Sequence, residues 1–311
     1  MTSRRTLFVP LAGLAAFGLH CATRAPVTEM PASDGSAAVS TAAAPLSTWV
    51  WEKDTLLARP ERGRLLSFLK ARGVSTLFVH ASPALETDAG FEALAEIVGA
   101  GARQGLRVTL VAGDPRFSLP RHHADAVAVI DRARRVEDRL IARGLGRLGG
   151  VLFDIEPYLL PEWKSSPQAV AETYADVISK LKSAADGASL EIWQTIPFWF
   201  HERAIRGTSL DRLALGASDG VVLMAYRNRA ADVEALATPI LERASALGKH
   251  VIVAVETACV PPPHITFCGR SPRELHDALL RIGSRLRSSK AFAGLGVHQY
   301  AFWRKLEDSS G

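Results

Sequence analysis

The chain has 311 residues, 48% of them hydrophobic and 22% charged, which is enough apolar material for one large domain or two ordinary ones. The formal net charge of +5 is small for this length. Its densest basic group, Arg132, Arg134, Arg135, Arg139, Arg143 and Arg147, is interleaved with Asp131, Glu137 and Asp138. That pattern reads as a solvated outer helix face, without the concentrated basic surface that a nucleic-acid partner demands.

At the start of the chain, Arg4 and Arg5 precede an apolar run, 7–19, too short to span a bilayer as a mature helix. Ser3-Arg4-Arg5-Thr6-Leu7-Phe8 resembles the twin-arginine export signal, and Gly18-Leu19-His20-Cys21 resembles a lipoprotein cleavage box. Residues 1–21 are therefore expected to be an export or lipoprotein signal with Cys21 as the lipidation site; the alternative is a signal peptide cut near Ala22 or Ala25. On either reading the protein is exported, periplasmic or lipid-anchored, and a lipid on Cys21 is its one expected link to a membrane. Residues 22–46 are rich in Ala, Ser, Thr and Pro, with almost no large apolar side chains. Such a segment cannot offset its ordering entropy and reads as a flexible tether.

From Ser47 one unit recurs: a short apolar run, a polar loop, then a helical pattern. The runs are 48–51, 76–80, 107–112, 150–154, 190–195, 220–225, 250–255 and 296–300. Nearly continuous apolar strands belong to parallel sheets covered on both faces. Helical patterns at 62–72, 91–104 and 233–247 end at Gly73, Gly105 and Gly248, each suited to a left-handed cap. Eight such units predict an α/β fold, a (β/α)8 TIM barrel as a single domain over 47–308. The stretch 116–149 is expected to hold an extended loop before its helix. No Gly-rich phosphate fingerprint follows the first strand, which disfavours a dinucleotide-binding sheet. Cys259 and Cys268, nine positions apart in a Pro-rich stretch, are expected to form a disulfide in an exported protein.

Barrel strands present their C-terminal ends to substrate. In order those ends carry Glu52, His80, Asp114, Asp154 with Glu156, Gln194, Tyr226 with Arg227, Glu256, and His298 with Tyr300. Trp51, Trp163, Phe198, Trp199, Phe200 and Trp303 lie in or just after them, whereas Trp49 suits the core. Aromatic faces beside carboxylates and amides suit a sugar, by stacking on its C–H face and bonding its hydroxyls. An oligo- or polysaccharide is therefore the expected partner. His122 and His123 with Asp125, or His80 with His298 and Asp114, are sketches of a metal site, but no HExxH or Cys–His spacing supports either. Neither a metal nor a cofactor is expected.

The run from Val151 to Tyr158 carries the chemistry. On a strand Asp154 and Glu156 point the same way, and two close carboxylates oppose each other's ionisation. One is then left as a neutral acid, the group that protonates a glycosidic oxygen. Asp154-Ile155-Glu156 resembles the end of the fourth-strand motif of glycoside hydrolase family 18, and Met224-Ala225-Tyr226 resembles that family's sixth-strand motif. The segment from Gly296 to Trp303 resembles its eighth. The resemblance implies Glu156 as general acid, Asp154 as its assistant and Tyr226 as a substrate-holding hydroxyl. Gly149 and Leu152 stand where that family has two earlier Asp residues, and Arg227 where it has Asp or Asn. Arg227 suits a carboxylate of the ligand through its planar fork, or alternatively an ion pair with Asp154 or another neighbouring carboxylate. A second resemblance is to the retaining glycosidases with acid/base on strand four and nucleophile on strand seven, here Glu156 and Glu256. A sugar-binding lectin on a decayed hydrolase barrel is the non-catalytic alternative.

Overall fold

A computed structural model describes residues 43–186 and 190–308. The expected signal, Cys21 and most of the tether lie outside the described residues. Eight parallel strands close into a barrel: β1 Leu46–Val50, β2 Val74–His80, β3 Arg107–Ala112, β4 Val151–Phe153, β5 Ile192–Pro197, β8 Gly220–Met224, β9 His250–Glu256 and β10 Phe292–His298. Between β5 and β8 a small antiparallel hairpin, β6 Ala204–Ile205 and β7 Thr208–Ser209, stands apart from the barrel. β1 pairs with both β2 and β10, which closes the ring. All eight expected strands form, so the TIM barrel is the fold.

Strand parity divides the barrel into two apolar compartments. Trp49, Phe78, Val111, Leu152, Val222, Ile252 and Ala254 meet inside it, whereas Val50, Leu77, Leu110, Phe153, Val221 and Val253 pack outward with the helices. The interior is thus a filled core rather than a pore. Two tryptophans fit inside only because the neighbouring strand offers glycine. A Cβ on Gly220 would stand 2.5 Å from Cζ3 of Trp193, and one on Gly296 2.7 Å from Cη2 of Trp49. With that core in place, anything small enough to bind must sit above it, at the C-terminal mouth.

Helices Arg59–Ala71, Asp88–Ala102 and Ala230–Ala246 end as expected, with Gly73, Gly105 and Gly248 at φ of 63°, 70° and 64°. Two expectations need correction. The stretch 116–149 holds no extended loop: two 3-10 turns, Pro115–Ser118 and Pro120–His122, lead into a helix from His123 to Ala142. Prolines suit these turns because the first residues of a helix need no N–H partner. β10 begins at Phe292 and stops at His298, so Tyr300 opens a C-terminal helix, Tyr300–Asp308, instead of ending a strand. The basic group does lie on a solvated outer helix face, where several of its arginines also pair with acids of a neighbouring segment. Arg132 and Arg135 hold the Glu86 carboxylate at 2.9 and 2.7 Å, and Arg139 reaches Asp88 at 3.3 Å.

Candidate active site

β4 is only three residues long, but its ladder runs on through the Asp154 N–H, which donates to the Ala112 carbonyl at 2.8 Å. Asp154 therefore keeps the parity of Leu152 and faces the mouth. Burial holds its carboxyl above the usual range, against the opposing pull of His298 and Thr195. Its Oδ1 and the Thr195 hydroxyl are both buried without a hydrogen-bond partner of normal geometry. Glu156 follows at the lip. Burial first, and then the Asp154 charge, push its pKa up to about 8. The Tyr158 hydroxyl, which donates to Glu156 Oε2, moderates that rise. At neutral pH, Glu156 is a protonated acid beside a second carboxyl group.

Across the mouth, Glu256 ends β9 almost fully enclosed. Its Oε1 accepts the N–H groups of Thr257 and Ala258, both at 2.7 Å, and its Oε2 meets His298 Nδ1 at 2.9 Å. The Trp51 indole N–H points at His298 Nε2 at 3.2 Å. Indole only donates, so Nε2 accepts and the imidazole proton sits on Nδ1, toward Glu256. Burial disfavours a second proton on His298, but Glu256, Asp154 and Glu156 together outweigh it and raise its pKa. With the Trp51 indole donating to Nε2 the ring is neutral, and a second proton would set two N–H groups against each other there. Tyr226 stacks on His298 with centroids 6.3 Å apart. Burial and the same three carboxylates hold its phenol protonated. His80 lies 5.6 Å from the Trp51 ring, and burial lowers its pKa.

The loop after β9 folds back on this side of the mouth. Phe267 donates to the Glu256 carbonyl at 2.8 Å, and the expected Cys259–Cys268 disulfide closes the loop with Cα atoms 5.0 Å apart. Asn228 ties it to the end of β8 through the carbonyls of Pro263 and Thr266, each at 2.9 Å.

An aromatic wall runs from β4 toward β8. Trp199 meets Tyr158 at 5.2 Å and Trp163 at 6.2 Å, edge to face. Phe198 carries the Arg227 guanidinium 5.2 Å above its ring. Phe200, by contrast, is fully buried in the outer core.

Several expected site residues stand elsewhere. Gln194 shares parity with Ile192 and Ile196, which pack outward, whereas Trp193 belongs to the interior; Gln194 is enclosed on the helix side with both amide atoms unpartnered. Thr195, one residue on, is the group from β5 that reaches Asp154. It was legible from parity, given Trp193 as an inward marker. Asp114 caps its own turn and takes Arg116 in a fork: burial raises its carboxyl, but those bonds hold it below the usual range overall. Glu52 is exposed at the start of a short helix, and its place in the site falls to Trp51. Tyr300 and Trp303 are buried against Phe68 of the Arg59–Ala71 helix, at 5.3 and 5.1 Å, on the outside of the barrel. Among the described residues, no group of three His, Cys, Asp or Glu is arranged to hold a metal ion. His122 is taken by Asp125 at 2.8 Å, and His123 lies against Lys180 at 2.9 Å.

Neither a family model nor a curated protein matches the chain. Solved structures do. An exo-beta-1,4-mannosidase, Op5Man5, from Opitutaceae bacterium strain TAV5 aligns over 83% of this chain and 52% of its own, with TM-score 0.53 and 16% identity. A Cellulomonas fimi endo-beta-1,4-mannanase double mutant aligns over 83% of this chain and 65% of its own, with TM-score 0.50 and 13% identity. The chain thus spans about half the length of the mannosidase and just under two thirds of the mannanase. At such identities the likeness establishes the barrel.

Proposed function

We propose that the protein is an exported barrel of the glycoside-hydrolase type that cleaves an O-glycosidic bond in a surface or environmental polysaccharide, with Glu156 as general acid. One observation carries the reading: a carboxyl group with pKa about 8 at the C-terminal mouth, beside a second carboxyl group. The likeness of the barrel to a mannosidase and a mannanase supports it.

The sugar rests against the wall of Trp199 and Tyr158, with its glycosidic oxygen at Glu156. Glu156 transfers its proton to that oxygen as the bond breaks. Glu256 is a poor nucleophile, because both of its oxygens are engaged with Thr257, Ala258 and His298. That weighs against the strand-four and strand-seven pair and leaves Asp154, with one oxygen unpartnered, to face the positive charge growing on the anomeric carbon. Asp154 and the Tyr226 hydroxyl orient the substrate's own neighbouring group, as the family-18 resemblance implies; its oxygen closes on the anomeric carbon as the glycosidic bond breaks, and a water then displaces it, returning a proton to Glu156. Glu256 positions His298 through its contact with Nδ1.

The same commitment of Glu256 is what favours the lectin as a second reading. Reducing-end release from a polysaccharide panel separates the two. The catalytic reading expects release that Glu156→Gln abolishes while the variant stays folded, with a melting temperature no lower than the parent's. Binding with no release by the unaltered protein supports the lectin, and release by Glu156→Gln at the normal rate removes Glu156 from the role.

A further inference from the structure

Arg227 follows Tyr226 at the end of β8, and its Nη1 folds back on the Tyr226 carbonyl at 2.7 Å. Nothing else in the described residues takes its hydrogen bonds, and no carboxylate forms an ion pair with it. The expected alternative, a bond to Asp154, is not made. Burial lowers its pKa, a sign that the half-enclosed cation is under-compensated, and Asp232 only partly offsets this. The more deeply buried Arg62 uses four of its five donors. Arg62 places Nε and Nη2 on Glu96 at 3.0 and 2.6 Å, and Nη1 on the carbonyls of Leu56 and Leu57 at 2.7 and 2.9 Å. Arg227 uses one of five donors and lies over the Phe198 ring.

Position completes the case. β4, β5 and β8 are neighbours in the ring, so their ends set Glu156 with Tyr158, Phe198 with Trp199, and Tyr226 with Arg227 along one side of the mouth. A glycan lying on that wall meets the acid and the guanidinium together. We infer that Arg227 is a specificity residue, and that the substrate class is a carboxylate-bearing sugar. A carboxylate matches the fork in plane and in single charge. A phosphate ester carries up to two charges and asks for a second cation, but the charged group acting on Arg227 is an acid, Asp232.

This inference rests on the glycan reading of the mouth, and the experiment separates the two. Oligogalacturonate, hyaluronan and alginate oligosaccharides and muramic-acid glycan fragments, each beside its carboxyl-reduced neutral twin, are titrated calorimetrically into Glu156→Gln protein. They are also incubated with the unaltered protein to follow cleavage. At least one acidic oligomer is expected to bind about tenfold more tightly than its twin, the scale of one charge-assisted fork. Adding Arg227→Gln, or Arg227→Lys, which keeps the charge but loses the fork, should shrink that ratio below about twofold, with the melting temperature confirming the fold. Twins that bind equally and are cleaved overturn the role of Arg227 and leave the glycan reading standing. A preference that survives Arg227→Gln also overturns it. Acid preference without cleavage by the unaltered protein sustains Arg227 and sinks catalysis. No binding by any oligomer overturns both.

Discussion

Arg135 and Arg227 carry the same side chain to opposite electrostatic ends. On the outer layer Arg132, Arg135 and Arg139 from one helix find Glu86 and Asp88 at the start of the next, and Arg139 also lies 3.9 Å over the Phe91 ring. The Arg135 hydrogen bond, joined by Arg132, holds the Glu86 carboxyl below its usual range. At the mouth the pattern inverts. Among the described residues Arg227 makes no ion pair, Asp154 Oδ1 and Thr195 Oγ1 have no hydrogen bond of normal geometry, and burial holds Glu156 neutral. Buried polar groups without partners cost stability. Gln194 and Tyr174 carry the same cost away from the mouth, but under the proposed function it is at the mouth that a bound glycan supplies the missing partners.

Three outcomes sharpen the contrast, from the largest effect to the smallest. Glu156→Gln should lower turnover on any cleaved glycan by about 10²–10⁴-fold, the usual worth of general acid catalysis, read as reducing ends released. The same variant should be more stable than the parent in alkali. The pKa of Glu156 rises from 4.5 to about 8 on folding, so between those values the folded chain holds a proton that the unfolded chain has lost. Stability is therefore complete below about pH 4.5 and falls as pH climbs through about 8. Urea unfolding at pH 8 should show the glutamine variant ahead by on the order of 2–4 kcal/mol, with the gap closing at pH 4. Equal stabilities at both pH values would mean that the mouth stores no such cost. On the outer layer Arg135→Ala should lose no more than about 1 kcal/mol, as exposed pairs do, and that loss should fade in acid as Glu86 becomes protonated. A larger loss would make the ladder a structural keystone.

The barrel was legible because parallel strands covered on both faces are apolar at nearly every position, and the strands from 76–80 to 250–255 announce themselves that way. The last strand did not, because Gly294 and Gly296 dilute its apolar run and pushed its apparent start toward residue 296. Tyr300 and Trp303 looked like a continuation of the mouth, but their spacing of three, carried on to Leu306, is that of a buried helix face. Asp154 and Glu156 were visible as a pair on one strand face. Gln194 was misplaced because reading only strand ends ignores parity, which selects Thr195. The tying-off of Glu256 leaves no trace in sequence, since it depends on two backbone amides turning back on the carboxylate. The partners of the basic helix were hidden for a similar reason: they lie on a different helix, some fifty residues earlier.

The central claim is that folding makes Glu156 a neutral acid at physiological pH. It is tested most directly by carbon-13 NMR of glutamate-labelled protein, following the Glu156 side-chain carboxyl through a pH titration, with its resonance assigned by its loss in Glu156→Gln. The structure predicts a midpoint near 8, moving downward in Asp154→Asn as the neighbouring charge is removed. A midpoint near the ordinary 4.5, unmoved by Asp154→Asn, would contradict the account.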